Sequence, residues 1–299
     1  MLRQLSTGPL RLAEMSRASG APPETTLRTR LKGLEGDGLV VKRGRDGSPG
    51  IAEHALTESG EALLIVIASL ERWLGQMPEG PLLLDGPAGK AAIKSFSESW
   101  SSMVLHGVAA GPISLSGLAN ELRGVTYPAI ERRLSAMRRA GQIEVRPNGA
   151  KGTPYVVTEW MQRSVVPLAT AVRWEQAHLS GAPQPMSRIE VDTAFLLALP
   201  LLRVEVGMSG SCRMDVRMDD GGKGPAGANA VVAKGRVVSC AANQKDSSDA
   251  WATGSQTHWA ATLTSRSMGR LRFGGDQPLT KALIGDLRLL LFPAESQSS

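Results

Sequence analysis

Cysteine is nearly absent from these 299 residues: Cys212 and Cys240 are the only two, and both lie in the last third. Without a secretion signal, two thiols read as reduced core residues rather than as a structural disulfide. The start, Met1-Leu2-Arg3-Gln4-Leu5-Ser6, lacks the extended apolar stretch such a signal requires. Histidine is sparse too. His54, His106, His178 and His258 are scattered, with no His-x3-His or Cys-x2-Cys spacing, which argues against a metal site. Long apolar runs are missing as well. The longest, Ala62 to Leu70 (interrupted by Ser69) and Ala194 to Leu202, fall far short of the ~18–20 residues of a membrane span. The expectation from these absences is a soluble cytoplasmic chain without metal or cofactor.

Catalytic patterns are equally thin. No glycine-rich phosphate loop of the Walker or dinucleotide kind is present. Ser255, His258 and Asp249 are close in sequence, but a nucleophile, base and acid need a geometry that this spacing does not imply, so no enzyme is expected. The net charge is +6, distributed as +1 over residues 1–75, +3 over 76–185 and +2 over 186–299. A mild basic excess permits nucleic-acid binding without arguing for it, so the argument rests on placement. The length implies two or three domains, each able to bury a core.

What the chain does contain is one piece twice. Gly8-Pro9 returns as Gly111-Pro112, Arg30-Leu31 as Arg133-Leu134 and Gly38 as Gly141, at an offset of 103. After a turn two residues shorter in the second copy, Thr57-Glu58 returns as Thr158-Glu159 and Arg72-Trp73 as Arg173-Trp174, at an offset of 101. A supersecondary unit of about 70 residues has been duplicated. Two similar units on one chain can imitate a symmetric dimer, and dimers with paired reading heads address two-fold-symmetric DNA.

In the first copy, Leu10, Leu12 and Met15 lead into a short helix ending near Ser19-Gly20, and Ala21-Pro22-Pro23 turns the chain. A helix from Glu24 to Glu35 carries Leu27, Leu31 and Leu34 on one stripe, and Gly36-Asp37-Gly38 stops it. Leu39-Val40-Val41 and Ala55-Leu56 flank a polar tip as a β-hairpin, and a helix from Glu58 to about Leu74 closes the unit. The second copy repeats this order. It has helices over Leu115–Leu122 and Ala129–Arg139, the latter with Ile130, Leu134 and Met137 buried. Its hairpin is Ile143–Val145 with Tyr155–Val157, and its closing helix runs from Glu159 to about His178. A helix over Ala91–Ala109 precedes Gly111, whereas only seven residues precede Gly8. The first helix of the first copy is therefore clipped, as a start assigned too late would leave it. Helix, turn, helix, hairpin, helix is the order of a winged helix-turn-helix.

The run Leu27 to Val40, with its Leu-x3-Leu-x2-Leu-Glu-x-Asp-Gly-Leu-Val pattern, and Leu-Thr-Glu-x-Gly at Leu56 to Gly60 resemble the HxlR branch of MarR-type bacterial regulators. The resemblance covers both copies and is better in the first. It lacks the cysteine often found near the start of that family.

Opposite the leucine stripe of the first copy lie Thr25, Arg28, Thr29 and Lys32; opposite that of the second lie Arg132, Ser135 and Arg139. Arginine pairs bidentately with guanine, threonine contacts a thymine methyl or a phosphate, and lysine serves phosphate. The wing tips carry Lys42, Arg43 and Arg45 in one copy and Arg146 and Lys151 in the other. Such residues are also ordinary solvated surface; their place in a duplicated winged helix favours DNA. The reading face is Thr-rich in one copy and Arg-rich in the other, so the two need not bind equally. Trp73 and Trp174 end the closing helices at matching positions and read as packing between them.

Beyond Gly181-Ala182-Pro183-Gln184-Pro185 the pattern turns to strands: Arg203–Val206, Arg213–Val216, Ala230–Val232, Gly235–Val238 and Ala250–Ser255. A helix follows around Trp259–Leu263, then Arg270–Asp276, then an amphipathic helix from Leu279 to Leu291. Thr-Gly-Ser before a helix, Arg-Phe-Gly-Gly-Asp and a Leu-rich closing helix are similar to sterol-carrier-protein-like domains. That resemblance implies an apolar tunnel, lined here by Trp259, Leu263, Leu271, Phe273, Leu279, Leu283 and Leu287, although core and pocket linings look alike in sequence.

The expected architecture is thus multidomain. Two α+β winged helices in tandem (1–77 and 91–180, with linkers at 78–90 and 181–188) precede an α+β sterol-carrier-like domain at 189–295. The resemblances imply a regulator that binds double-stranded DNA at a pseudo-palindromic operator, as a monomeric pseudo-dimer or a homodimer, under control of an apolar or lipid-like ligand. The alternative is a lipid-binding protein whose winged helices contact other proteins.

Overall fold

The structure, a computed structural model, describes residues 1–18, 20–44, 52–100 (backbone only at 99 and 100), 103–146, 154–179, 185–218, 224–242, 247–265 and 270–293. It divides into two compact units, Met1–Leu70 with Thr170–Pro183, and Glu71–Ala169 with Gln184–Ser299.

In the first unit, α1 (Leu2–Leu5) and α2 (Leu12–Ser16) precede α3 (Glu24–Gly36). Pro23 is extended ahead of α3, and Gly38, at φ +69°, ends it. The Leu39 amide reaches back to the Leu34 carbonyl at 2.9 Å, a Schellman closure that needs the left-handed glycine. β1 (Val40–Gly44) and β2 (Ala52–Leu56) pair antiparallel from Val40↔Leu56 to Gly44↔Ala52, and Leu10 bridges to His54 as a short third strand. Leu5, Met15, Leu27, Leu31, Val40 and Leu56 form the core. α4 (Glu58–Leu74) follows, entered through Thr57, whose hydroxyl donates to the Gly38 carbonyl at 2.7 Å.

In the second unit, α5 (Pro87–Trp100) and α6 (Met103–Ala109) stand where one helix over 91–109 is expected, with residues 101 and 102 outside the described ones. α7 (Leu115–Glu121), α8 (Tyr127–Arg139), β3 (Ile143–Val145) and β4 (Tyr155–Val157) repeat the earlier order, with Ile130, Leu134 and Met137 buried as expected. The expected single closing helix is instead two, α9 (Glu159–Gln162) and α10 (Val165–His178), the latter belonging to the first unit from Thr170 on. Pro167 has no amide to offer the Arg163 carbonyl and fits only a helix's first turn, so the chain restarts there.

A five-stranded sheet follows: β5 (Gly210–Arg217), β6 (Ala226–Ala233), β7 (Arg236–Ala242), β8 (Ala250–Ser255) and β9 (Arg272–Gly275), in the order β7-β6-β5-β8-β9. β5 and β8 are parallel and the other pairs antiparallel. Cys212, Met214 and Val216 of β5 and Ala250, Ala252 and Gly254 of β8 are buried. α12 (Gln256–Thr264) and α13 (Gln277–Leu291) pack against both strands.

One expectation is corrected here. Arg203–Val206 is not a strand: only Arg203 bridges to Arg236, and Glu205 to Met208 close a tight turn that leaves Val206 exposed. Conversely, the apolar run at 194–202 belongs to a helix, α11 (Arg188–Ala198), and the 3-10 turn Leu199–Leu201. α11 packs against α6 and α9 on one side and against β6 and β7 on the other. A helix buried all round shows no polar face, so periodicity does not reveal it.

Candidate nucleic-acid interface

The face of α3 opposite its buried leucines is built from Thr25, Arg28, Thr29 and Lys32, all exposed. The Thr29 hydroxyl donates to the Thr25 carbonyl at 3.0 Å. Arg28 is paired with Glu24 one turn earlier at 2.9 Å, an exposed pair that costs little to exchange for a phosphate or base. Beside the helix, β1 presents Lys42 and Arg43 to solvent, and neither makes an ion pair with another described residue. Arg45 lies outside the described residues.

On α8, Arg132, Ser135 and Arg139 are exposed on the corresponding face. Arg146, just past β3, is exposed and paired with Glu144 at 2.8 Å. Lys151 lies outside the described residues. Four further side chains share the exposed surface of α8 and were missed by the stripe argument: Tyr127 at its first turn, 50% exposed, Pro128, Glu131 and Arg138. Their signal is position, since the first turn of a reading helix and its flank both face outward. Arg133, by contrast, is turned toward Glu98 of α5, at 4.0 Å.

The two hairpin units share their internal bonds. Leu10 and His54 exchange backbone bonds at 2.9 and 2.8 Å; Ile113 and Tyr155 do so at 3.1 and 2.9 Å. Thr57 donates to Gly38 at 2.7 Å, and Thr158 to Gly141 at 2.8 Å. Gly38 and Gly141 stand at φ +69° and +68°.

In the C-terminal layer, Trp259, Leu271, Leu279, Leu283 and Leu287 are buried, while Leu263 and Phe273 are half-buried. The Trp259 indole donates to the Asp215 carbonyl at 2.8 Å and meets Phe195 of α11 edge-on, with ring centroids 5.3 Å apart. Ser255, His258 and Asp249 are separately engaged. The Ser255 hydroxyl caps α12 by accepting the His258 amide at 3.2 Å, and Asp249 accepts the Ser211 amide and hydroxyl at 2.7 and 2.8 Å. Burial pushes both thiols, Cys212 and Cys240, up to about 11. Among the described residues no group of His, Cys, Asp and Glu could hold a metal ion, and no helix is long and apolar enough to cross a membrane.

Residues 1–80, which hold α1 to α4, match the HxlR-like helix-turn-helix family. A stretch of 65 residues is 35% identical to a protein of Halalkalibacterium halodurans named as an uncharacterized HTH-type transcriptional regulator, covering 22% of this chain and 58% of that protein. The chain thus spans little more than half the length of the curated relative it matches. The N-terminal winged helix is thus similar to the HxlR-like helix-turn-helix family.

Proposed function

We propose that this chain is a cytoplasmic transcriptional regulator, not an enzyme, that binds double-stranded DNA through two winged helices arisen by duplication. The observation that carries the reading is the exposed Thr25/Arg28/Thr29/Lys32 face of α3 beside Lys42 and Arg43, in a segment of HxlR-like type. The shared internal bonds support the duplication. So does a contact made twice: Trp73 donates to the Trp160 carbonyl, and Trp174 to the Ser59 carbonyl, at 2.8 and 2.9 Å. Both donors and both acceptors are equivalent positions at the offset of 101, and each copy supplies the donor once and the acceptor once. A single chain then carries the two reading heads for which a dimer needs two chains.

The C-terminal domain is proposed to take an apolar ligand in the layer around Trp259, following its sterol-carrier-like resemblance. α11 supports a route to the second reading helix: it packs on the sheet and on α6, which in turn packs on α8 and β4. A ligand biases DNA affinity only by the difference in its own affinity for the two states, typically about 1–3 kcal/mol.

The test is binding of purified chain to random duplex across a salt series. Phosphate contacts release counterions, so log K should fall steeply and linearly with log salt. A flat response means that the winged helices contact protein instead. For the ligand, acyl-chain compounds should shift DNA affinity, and Trp259→Ala should change which of them do so.

A further inference from the structure

We infer that the two reading helices recognise different bases, so that the site taken by one chain is directional, built of two unlike half-sites rather than a palindrome. This rests on the DNA-binding reading above and departs from the symmetry that duplication alone implies.

The comparison is position by position. Where α3 and α8 face the core they keep one character: Leu27 matches Ile130, Leu31 matches Leu134, and the half-buried Leu34 matches the buried Met137. On the opposite face every pair differs. Thr25 stands against Pro128, Arg28 against Glu131, Thr29 against Arg132, Lys32 against Ser135 and Gly36 against Arg139, all ten of them exposed. The changes are chemical, not conservative. At the Arg28/Glu131 position a five-donor cation, suited to guanine O6 and N7, faces an anion that can only accept, suited to cytosine N4. At the Thr29/Arg132 position, a methyl and hydroxyl that suit thymine face a guanidinium that suits guanine. Lys32, a phosphate-seeking point charge, faces a small hydroxyl.

The wings diverge as well. By register, Lys42 opposite His54 corresponds to Val145 opposite Tyr155, so an exposed cation in one wing is a half-buried aliphatic in the other. The backbone frame that would place both helices is shared down to its capping bonds, while the groups that would touch base edges are not. A shared frame with unlike readers selects unlike sequences.

The experiment is sequence selection from a random duplex library with the full-length chain, followed by affinities for three duplexes at the selected spacing: half-sites A–B, A–A and B–B. The expected motif has no two-fold symmetry, and A–B is preferred at one chain per duplex by at least about tenfold, the discrimination of one bidentate contact. Giving α8 the residues of α3 (Glu131→Arg, Arg132→Thr, Ser135→Lys) should move the preference to A–A. The reverse graft on α3 (Arg28→Glu, Thr29→Arg, Lys32→Ser) should move it to B–B, so a graft that fails to fold leaves the other to decide. One chain binding A–A or B–B as tightly as A–B overturns the inference and leaves DNA binding intact. No salt-dependent binding to any duplex overturns both.

Discussion

Trp73 and Trp160 hold each other by two reciprocal hydrogen bonds: the indole of Trp73 donates to the Trp160 carbonyl at 2.8 Å, and that of Trp160 donates to the Trp73 carbonyl at 2.9 Å. Their rings stack 4.4 Å apart with planes 10° from parallel, and Phe96 of α5 tilts against Trp73 at 5.4 Å. The C-terminal turn of α4 is thereby joined to α9 by apolar area and by satisfied polar groups together, which is how buried tryptophan is best accommodated.

Trp73→Phe should keep the stacking and leave the Trp160 carbonyl without its donor, at a cost of about 1–3 kcal/mol. Trp160→Phe should cost a similar amount, and the double variant less than the two together, because the residues are in direct contact. Urea unfolding of the four proteins reads this out; strict additivity would show the pair to be uncoupled.

Arg132→Ala or Arg139→Ala should weaken binding to the selected duplex by about 1–3 kcal/mol and relax preference at a single base pair. Lys42→Ala should instead weaken all duplexes alike and lower the salt slope by about one. Competition binding with single-base variants separates the two behaviours.

Asp249 is held below the ordinary carboxylate range by the Ser211 amide and hydroxyl, which favour its ionised form. Its contribution to stability is therefore complete above the unfolded value and is lost as pH falls through the lower folded one. The gap in Tm between the native chain and Asp249→Ala should be widest near neutrality and close in strong acid. A gap independent of pH would place the stabilisation elsewhere.

With Cys212 and Cys240 near 11, roughly one thiol in a thousand is ionised at pH 8. Iodoacetamide should alkylate the native chain slowly at that pH and the urea-unfolded chain quickly, as followed by mass spectrometry. Rapid labelling of the native chain would mean that the layer beneath β5 and β7 opens readily.

Much of the winged-helix layout was legible because local rules specify it. The Leu27/Leu31/Leu34 period, Gly38 as a left-handed stop and the limits of α4, β3 and β4 follow from side-chain spacing and turn chemistry within a few residues. The recurrence of Gly-Pro, Arg-Leu and Thr-Glu pairs at near-constant offsets led us to expect one order of elements twice, and the surface stripes of α3 and α8 showed which side chains face outward. Tertiary structure alone decided the rest. That Trp73 takes Trp160 as its partner, while Trp174 bonds to Ser59, depends on which helices meet, and no spacing rule encodes a contact 87 or 115 residues away. α11 gave no amphipathic signal because both of its sides are covered, by α6 and α9 and by the sheet. Val204 and Val206 alternate like a strand, but the Glu205–Met208 turn takes the chain away from the sheet before the pattern can pair. Periodicity reports one buried face against one wet one; where both faces are buried, or neither, only the packed chain decides.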